Sequence, residues 1–595
     1  MNEKRPRKPM GKAARILTCL AITLVFGLVY FYLSLPALNL QDTNFYSFFF
    51  LLCLVYVVSS LFASGFRMEP GSGVKEYFRF VKNQCLPAGI LMVLLVAVGL
   101  IGTLISMPIF RASAYRDLLT VENGNFAEDI AQISFDKIPT LDRSSAEYLG
   151  DRQMGTLSDM VSQFEYSNDS TQINYQGRPV RVAPIAYADL IKWFTNRSEG
   201  LPAYVLVDMV TQEAQVVRLP QGQGMKYAFS EPLNRNIMRH LRFRYPTYLF
   251  DTPQFEIDEE GTPYWIAPRI VRTIGLFGGT DVQGAVLCNA ITGECQYYDI
   301  ADVPTWVDNI YTPDLIMEQY DYHGTFINGF FNSILGQRGV TMTTEGYNYI
   351  ALHDDVYVYT GVTSANADQS NLGFLLSNQR TKETRFYEAP GATEYAAMDS
   401  AKGEVQDLKY AATFPLLLNI AGEPTYFIPL KDATELVKSY AMVNVAQYQI
   451  VAVASSVSQC EQKYVDMLAE RGITDPEERP ETRISGVVDD LRSAVMDGNT
   501  YYFVRLEGDA VYYAVSAAEN PVAVLLDLGD QVTIDHAVQT GEIASSILSA
   551  YTIAIDGKAA PSEPLIPAVP EPDPAPGPDA GTEPADGAIT VPIYG

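Results

Sequence analysis

The sequence predicts a membrane-anchored α+β protein: three N-terminal transmembrane helices, an acidic region of repeated antiparallel αβ units, and a small C-terminal β-barrel. Three observations predict it. Before residue 111 lie three apolar runs without a charge, 16–35, 45–66 and 86–110, of 20, 22 and 25 residues. Within residues 165–455 a two-part strand pattern recurs. From 483, short β-rich runs alternate with Gly, Asn and Asp. A chain of 595 residues has room for several domains.

Each apolar run meets the roughly 20 residues that a helix needs to cross a bilayer, and none carries a polar stripe at helical period. Residues 1–15 form a basic tail with Lys4, Arg5, Arg7, Lys8, Lys12 and Arg15. The loop 36–44 carries only Asp42, whereas the next carries Arg67, Lys75, Arg79 and Lys82. Basic segments stay cytoplasmic, so the N-terminus is expected inside and everything after residue 110 outside. A cleaved signal peptide is the alternative for the first run, but its apolar stretch is too long and no A-x-A site follows.

Charge divides at the same place. Residues 1–110 carry a net +6 and residues 111–595 a net −34. So acidic a domain repels nucleic acid and anionic headgroups. Cations or basic polymers remain as ligands, with solubility the plainer account. Cys19, Cys53 and Cys85 lie in or beside the apolar runs; Cys288, Cys295 and Cys460 lie beyond. That is neither a disulfide scaffold nor a C-x-x-C metal knuckle. Cys288 and Cys295 flank Asn289-Ala290-Ile291-Thr292-Gly293-Glu294, a hairpin turn by composition. Such a turn sets the two thiols opposite each other, within reach of a disulfide in some registers; two unpaired packed thiols are the alternative.

Residues 111–164 read as a juxtamembrane segment, a short strand at 133–135 and a helix over 145–164 capped by Ser144 or Ser145. The repeats follow. Their first part is an acid or amide, Gly, then an extended run: Gln176-Gly177 before 178–183, Glu260-Gly261 before 262–267, and Glu345-Gly346 before 347–351. Their second part is strand, turn, strand: 204–208 before Thr211-Gln212-Glu213, 285–289 before Thr292-Gly293-Glu294, and 374–378 before Thr381-Lys382-Glu383. Asp or Asn opens each turn, and Thr-x-Glu resumes pairing. Helices are expected at 234–250 and 313–335, ahead of the second and third copies. A degenerate fourth copy at 421–428 lacks Thr-x-Glu. Units this small gain by stacking.

Helix, strands, then a hairpin of form V-x-V-D/N-A-x-T-G-E resembles the PepSY module of bacterial envelope proteins, and residues 289–294 match it best. The resemblance implies a binding or inhibitory module outside the membrane, with no catalytic residues to carry over. Gln212 and Lys382 stand where the module has Gly, so those two loops are expected to be built differently. The three-span plan resembles a group of Firmicutes membrane proteins. Residues 456–482 read as a helix over 456–470 and an acidic linker. Residues 483–556 read as a small barrel similar to an OB-fold, a fold that does not by itself assign function. Residues 557–595 read as a disordered acidic tail with ten prolines.

Chemistry is sparse. His240, His323, His353 and His536 show no metal-ligand spacing. Asp258-Glu259-Glu260 and Phe277-Gly278-Gly279-Thr280 read as turns. Ser134-Phe135-Asp136-Lys137 has S-x-x-K spacing, but extended flanks and no S-D-N or K-T-G partner. No G-x-S-x-G, Walker A or G-x-G-x-x-G motif occurs. No catalytic, metal or cofactor residue is therefore assigned, and no cofactor is expected. Among 37 Tyr and 28 Phe, Tyr264, Trp265, Tyr320 and Tyr322 are candidates to stack on a ligand, with core filling the plainer role. The expectation is a non-enzymatic cell-envelope protein that binds a wall polymer, peptide or protein partner. The alternatives are an envelope hydrolase with an acidic site outside known motifs and a structural subunit of a membrane complex.

Overall fold

Three helices long and apolar enough to cross a membrane open the chain: α1 (Lys12–Ser34), α2 (Thr43–Ala63) and α3 (Val74–Ser106), the last apolar over Lys82–Ser106. The computed structural model describes residues 12–63, 74–130, 138–352, 355–365, 370–474, 482–496, 499–509, 511–517, 520–536 and 547–558. The strand expected at 133–135, the S-x-x-K segment, His353-Asp354, the acidic linker and the tail from 559 lie outside the described residues. Pro108 cannot extend the preceding helix and instead starts a new one, α4 (Pro108–Arg116). Then come β1 (Val121–Gly124) and α5 (Phe126–Asp129).

Four times in succession the chain next lays down a helix and five strands. Unit 1 holds α6 (Arg143–Gly155), β2 (Phe164–Tyr166), β3 (Thr171–Tyr175), β4 (Arg178–Tyr187), an inserted α7 (Leu190–Asn196), β5 (Ala203–Asp208) and β6 (Ala214–Arg218). Unit 2 holds α8 (Ile237–Arg244), β7 (Leu249–Phe250), β8 (Gln254–Ile257), β9 (Pro263–Ile274), β10 (Gly278–Asn289) and β11 (Cys295–Asp299). Unit 3 holds α9 (Pro313–Thr325), β12 (Thr341–Thr343), β13 (Asn348–Leu352), β14 (Asp355–Ser364), β15 (Ser370–Asn378) and β16 (Thr384–Ala392). Unit 4 holds α10 (Glu394–Glu404), β17 (Ala411–Ala412), β18 (Leu416–Ile420), β19 (Glu423–Lys431), β20 (Val437–Asn444) and β21 (Val451–Ala454), followed by α11 (Val457–Glu470).

All four sheets share one strand order. The long third strand pairs with both earlier short strands on one edge and with the fourth strand on the other, and the fifth pairs with the fourth. Unit 3 gains β1 as a parallel sixth strand beside β16.

The hairpin tips repeat atom for atom. Oδ1 of Asp208, Asn289 and Asn378 accepts the amides two and three residues ahead, at 2.8–3.0 Å. The next residue (Met209, Ala290, Gln379) donates its N–H to the start of the long-strand segment, Pro179, Pro263 and Val356. Gln212 and Lys382 adopt φ of +62° and +66°, beside +75° at Gly293. The expectation of differently built loops is therefore overturned. The two side chains repay the left-handed backbone by bridging units: Gln212 donates to the hydroxyls of Thr140 and Tyr440, and Lys382 pairs with Asp281 at 2.7 Å. Unit 2 needs glycine, because a Cβ at residue 293 would lie 2.2 Å from the Tyr227 ring.

Other expectations need correction. Asp142, not Ser144 or Ser145, caps α6 by accepting from the Ser145 amide, and α6 stops at Gly155 because 164–166 is a strand. The helix expected at 234–250 is only α8, since 249–250 pairs with β9. The helix expected at 313–335 ends at Thr325, with a separate π turn at Asn332–Gly336. Gln176-Gly177, Glu260-Gly261 and Ala421-Gly422 all turn into the long strand, but Glu345-Gly346 precedes β13, one strand too early to be their counterpart.

The array closes on itself. Units 1 and 2 share a core that also takes Val437 of unit 4; units 2 and 3 share another around Leu287 and Tyr320, and units 3 and 4 a third around Phe374 and Tyr426. Lys431 of unit 4 reaches Asp142 at the start of unit 1, at 2.9 Å. Unit 2 also seats on the span ends. Arg242 Nε donates to Leu35 O at 3.0 Å, the Leu38 amide to Pro246 O at 2.7 Å, and the amides of Leu276 and Phe277 to Ser106 Oγ at 2.9 and 3.0 Å. The Phe277-Gly278-Gly279-Thr280 segment begins as the docking turn between β9 and β10.

The described residues from Thr482 onward form a separate compact unit. Its strands β22 (Thr482–Met496), β23 (Asn499–Leu506), β24 (Tyr512–Ser516), β25 (Asp530–His536) and β26 (Ile547–Lys558) close a barrel in the order β22-β23-β24-β26-β25. The β24–β26 pairing is parallel and the others antiparallel.

Candidate functional site

The four units meet around a cleft of about 860 Å³. Unit 1 contributes Arg143 and Glu147 of α6, Ser170 and Thr171, and Arg181 of β4; unit 2 contributes Asp251, Thr252 and Gln254. The α9 start adds Asp314 and Glu318, β13 adds Tyr347-Asn348-Tyr349 with its preceding residue, and unit 4 adds Phe414.

One end carries two arginines. Arg143 Nε donates to Glu147 Oε1 at 2.8 Å, and Ser170 Oγ donates to the same oxygen at 2.7 Å. Arg181 is 3% exposed, and its Nη1 donates to Ser170 O at 3.4 Å and Ser170 Oγ at 3.1 Å. Its Nε finds no acceptor. Burial pulls the Arg181 guanidinium below its ordinary pKa. The other end is acidic, with Asp251 accepting from Thr312 Oγ1 at 3.3 Å. A hydrogen-bonded wall joins the two ends: Thr171 Oγ1 donates to Gln254 Oε1 at 3.4 Å, and Asn309 Nδ2 to Gln172 O at 3.0 Å. Such a cleft can orient a polar ligand bearing charges of either sign.

Beneath this wall lies Glu256, fully buried, which accepts from the amides of Asp308 and Asn309 and from Asn309 Nδ2 at 2.9–3.1 Å. Burial pushes its carboxyl up to about 7, against the pull of those three donors. Glu231 and Glu394 are also raised by burial, and both are tied to protein partners away from the cleft: Glu231 to Trp193 and Tyr187, Glu394 to Asn371 and Thr344.

None of the four candidate aromatics lines the cleft. Trp265 is 1% exposed between Phe255 and Phe229, with Nε1 donating to Tyr227 O at 2.9 Å. Tyr320 is buried in the core of units 2 and 3. Tyr264 packs on Trp306, and Tyr322 stacks on Phe326 while donating to Glu318. Trp265 and Tyr320 are thus taken up by the core, whereas Tyr264 and Tyr322 are half-buried and lie outside the cleft. Cys288 and Cys295 face each other across β10 and β11, Cα atoms 4.1 Å apart, and are joined as a disulfide. His240 and His323 contact the carbonyls of Gly293 and Arg116 in different elements. Among the described residues no group of three or more His, Cys, Asp or Glu is placed to hold a metal ion. Sequence reasoning missed Arg181, although an arginine between Val180 and Val182 of a buried strand was the available signal.

No protein-family model matches the chain, and neither does any curated protein sequence.

Proposed function

We propose that this is a membrane-tethered binding or regulatory protein of the cell envelope, non-enzymatic, whose large domain lies outside the cytoplasmic membrane and recognises a wall polymer, peptide or protein partner in the central cleft. The observation that carries the reading is the cleft itself: all four units converge on one polar, two-signed cavity, the arrangement of a ligand site. The common strand order supports reading the units as PepSY-like repeats, and the parallel third and fifth strands support an OB-like barrel. The Cys288–Cys295 bond suits an oxidising compartment, as does the basic, neutral, basic order of the loops. Binding is favoured over hydrolysis because the buried, raised carboxyls sit away from the cleft lining, where a hydrolase needs one to meet its substrate.

Two experiments test the reading. Single cysteines at Asn44 and Asn168 should label with an impermeant thiol reagent in whole cells, and one at Gly73 should not; the reverse pattern overturns the orientation. A photocrosslinker at Tyr347 should capture one discrete partner from intact membranes. If capture is the same with the crosslinker at Lys402, which does not line the cleft, the cleft is not the binding site.

A further inference from the structure

The shared register of the four sheets exposes one residue that breaks the pattern. Each long strand is aligned by the residue facing the hairpin Asp or Asn: Val180 opposite Asp208, Tyr264 opposite Asn289, Tyr357 opposite Asn378, and Thr425 opposite Asn444. The next position is therefore equivalent in all four units. Units 2, 3 and 4 fill it with Trp265, Val358 and Tyr426, each a core residue no more than 2% exposed. Unit 1 places Arg181 there.

A buried guanidinium is costly unless a carboxylate neutralises it. The other buried arginine among the described residues, Arg242, instead spreads its Nε and Nη1 over the carbonyls of Leu35, Pro246 and Tyr248. Arg181 has no ion pair among the described residues; its hydrogen bonds go to the carbonyl and hydroxyl of Ser170 alone. The apolar occupants of the three equivalent positions show that the sheet does not need a cation there. Yet the position opens on the cleft, beside Arg143, Thr171 and Tyr347. Arg143 and Arg181 share one carboxylate, Glu147, which pairs with Arg143, and the neighbouring Asp142 of the lining is taken by Lys431, so no carboxylate is left for Arg181.

Resting on the binding role proposed above, we propose that Arg181 is an anion-binding centre that takes a carboxylate or phosphate oxygen pair of the cleft's ligand, with Arg143 as the second cation. A guanidinium presents its N–H groups in a fork that matches either anion. Asp251, Asp314 and Glu318 then face the remainder of the ligand and favour a neutral or cationic group there.

The test uses the full chain in nanodiscs, melted with inorganic phosphate, acetate or chloride at matched ionic strength, for wild type and Arg181→Met. Millimolar phosphate or acetate should raise the wild-type melting temperature in a saturable way, and the better of the two identifies the anion's source. Arg181→Met should abolish that shift while melting no lower than wild type without anion, because it removes a buried charge that has no ion pair. Arg143→Gln should weaken the shift several-fold. The proposal is overturned if Arg181→Met alone melts several degrees lower, if both proteins shift equally, or if neither anion shifts the wild type. Crosslinking from Tyr347 separates the two readings: capture that persists unchanged in Arg181→Met defeats the anion centre and leaves the binding role. An Arg181-dependent anion shift with no partner captured does the opposite.

Discussion

Adding one methyl group at Gly293 tests the account of the hairpin tips. An alanine there must keep φ near +75°, which costs about 1–2 kcal/mol for an L-residue. Its Cβ would also lie 2.2 Å from Tyr227 Cζ. That ring packs on His240, centroids 4.4 Å apart, and the Tyr227 amide is anchored to Ala290 O at 3.0 Å. The ring can leave only by giving up its His240 contact, and overpacking of this kind adds about 1–3 kcal/mol. Gly293→Ala should cost about 2–5 kcal/mol in all. In a Tyr227→Ala background only the backbone cost should remain, so the two substitutions should couple by at least about 1 kcal/mol. Urea unfolding of the full chain in nanodiscs, followed by tryptophan emission, reads this directly because Trp265 Nε1 is bonded to Tyr227 O. A cost below about 0.5 kcal/mol, or strict additivity with Tyr227→Ala, refutes the reasoning. Conversely, Gln212→Gly relieves the strained backbone but loses two hydrogen bonds of about 1 kcal/mol each, so it should fail to stabilise.

Leu287→Ala, which opens the core between units 2 and 3, should cost about 2–5 kcal/mol in the same assay, whereas Glu294→Ala should change stability by no more than about 0.5 kcal/mol. Because Glu256 is raised to about 7 in the fold, the folded state holds a proton that the unfolded chain releases above its ordinary range. Its contribution is thus fully present below about pH 4.5 and lost as pH rises through 7, an amount of about 3 kcal/mol. Glu256→Gln should flatten the urea midpoint between pH 5 and pH 8, and an unchanged pH profile would count against the assignment. Replacing both Cys288 and Cys295 with serine should cost about 2 kcal/mol, the loop-closure value for so short a loop, read as a lower urea midpoint.

The sequence made the spans and the hairpins legible for separate reasons. Bilayer thickness dictates the length of an apolar run, so three spans could be read without any tertiary information. The hairpin tips carry their own hydrogen bonds, so Asp208, Asn289 and Asn378 advertise them locally. What could not be read was register across the sheet. Glu345-Gly346 imitates Glu260-Gly261 in composition, and only pairing shows that it stands one strand too early. Helix ends failed likewise: the helices expected over 145–164 and 234–250 run into residues that pair as strands, 164–166 and 249–250, which their apolar content does not reveal. The cleft was illegible because its walls come from segments as distant as Arg143 and Phe414. Aromatic content pointed instead to Trp265 and Tyr320, which the packing of units consumes.

The seating of unit 2 on the span ends has a mechanical consequence. A domain on a slack linker moves freely of its anchor, but here backbone carbonyls at Tyr32, Leu35 and Pro246 and the hydroxyl of Ser106 tie one unit to α1, to the loop after it and to α3. Asp251, Thr252 and Gln254 are thus the jaw of the cleft that is stationary relative to the apolar helices. Arg143 and Arg181 ride on the opposing jaw, joined to the stationary one through the shared core. Any ligand that draws the jaws together pulls against the membrane helices themselves, and any sideways shift of α1 relative to α3 strains the wall on which Asp251 stands.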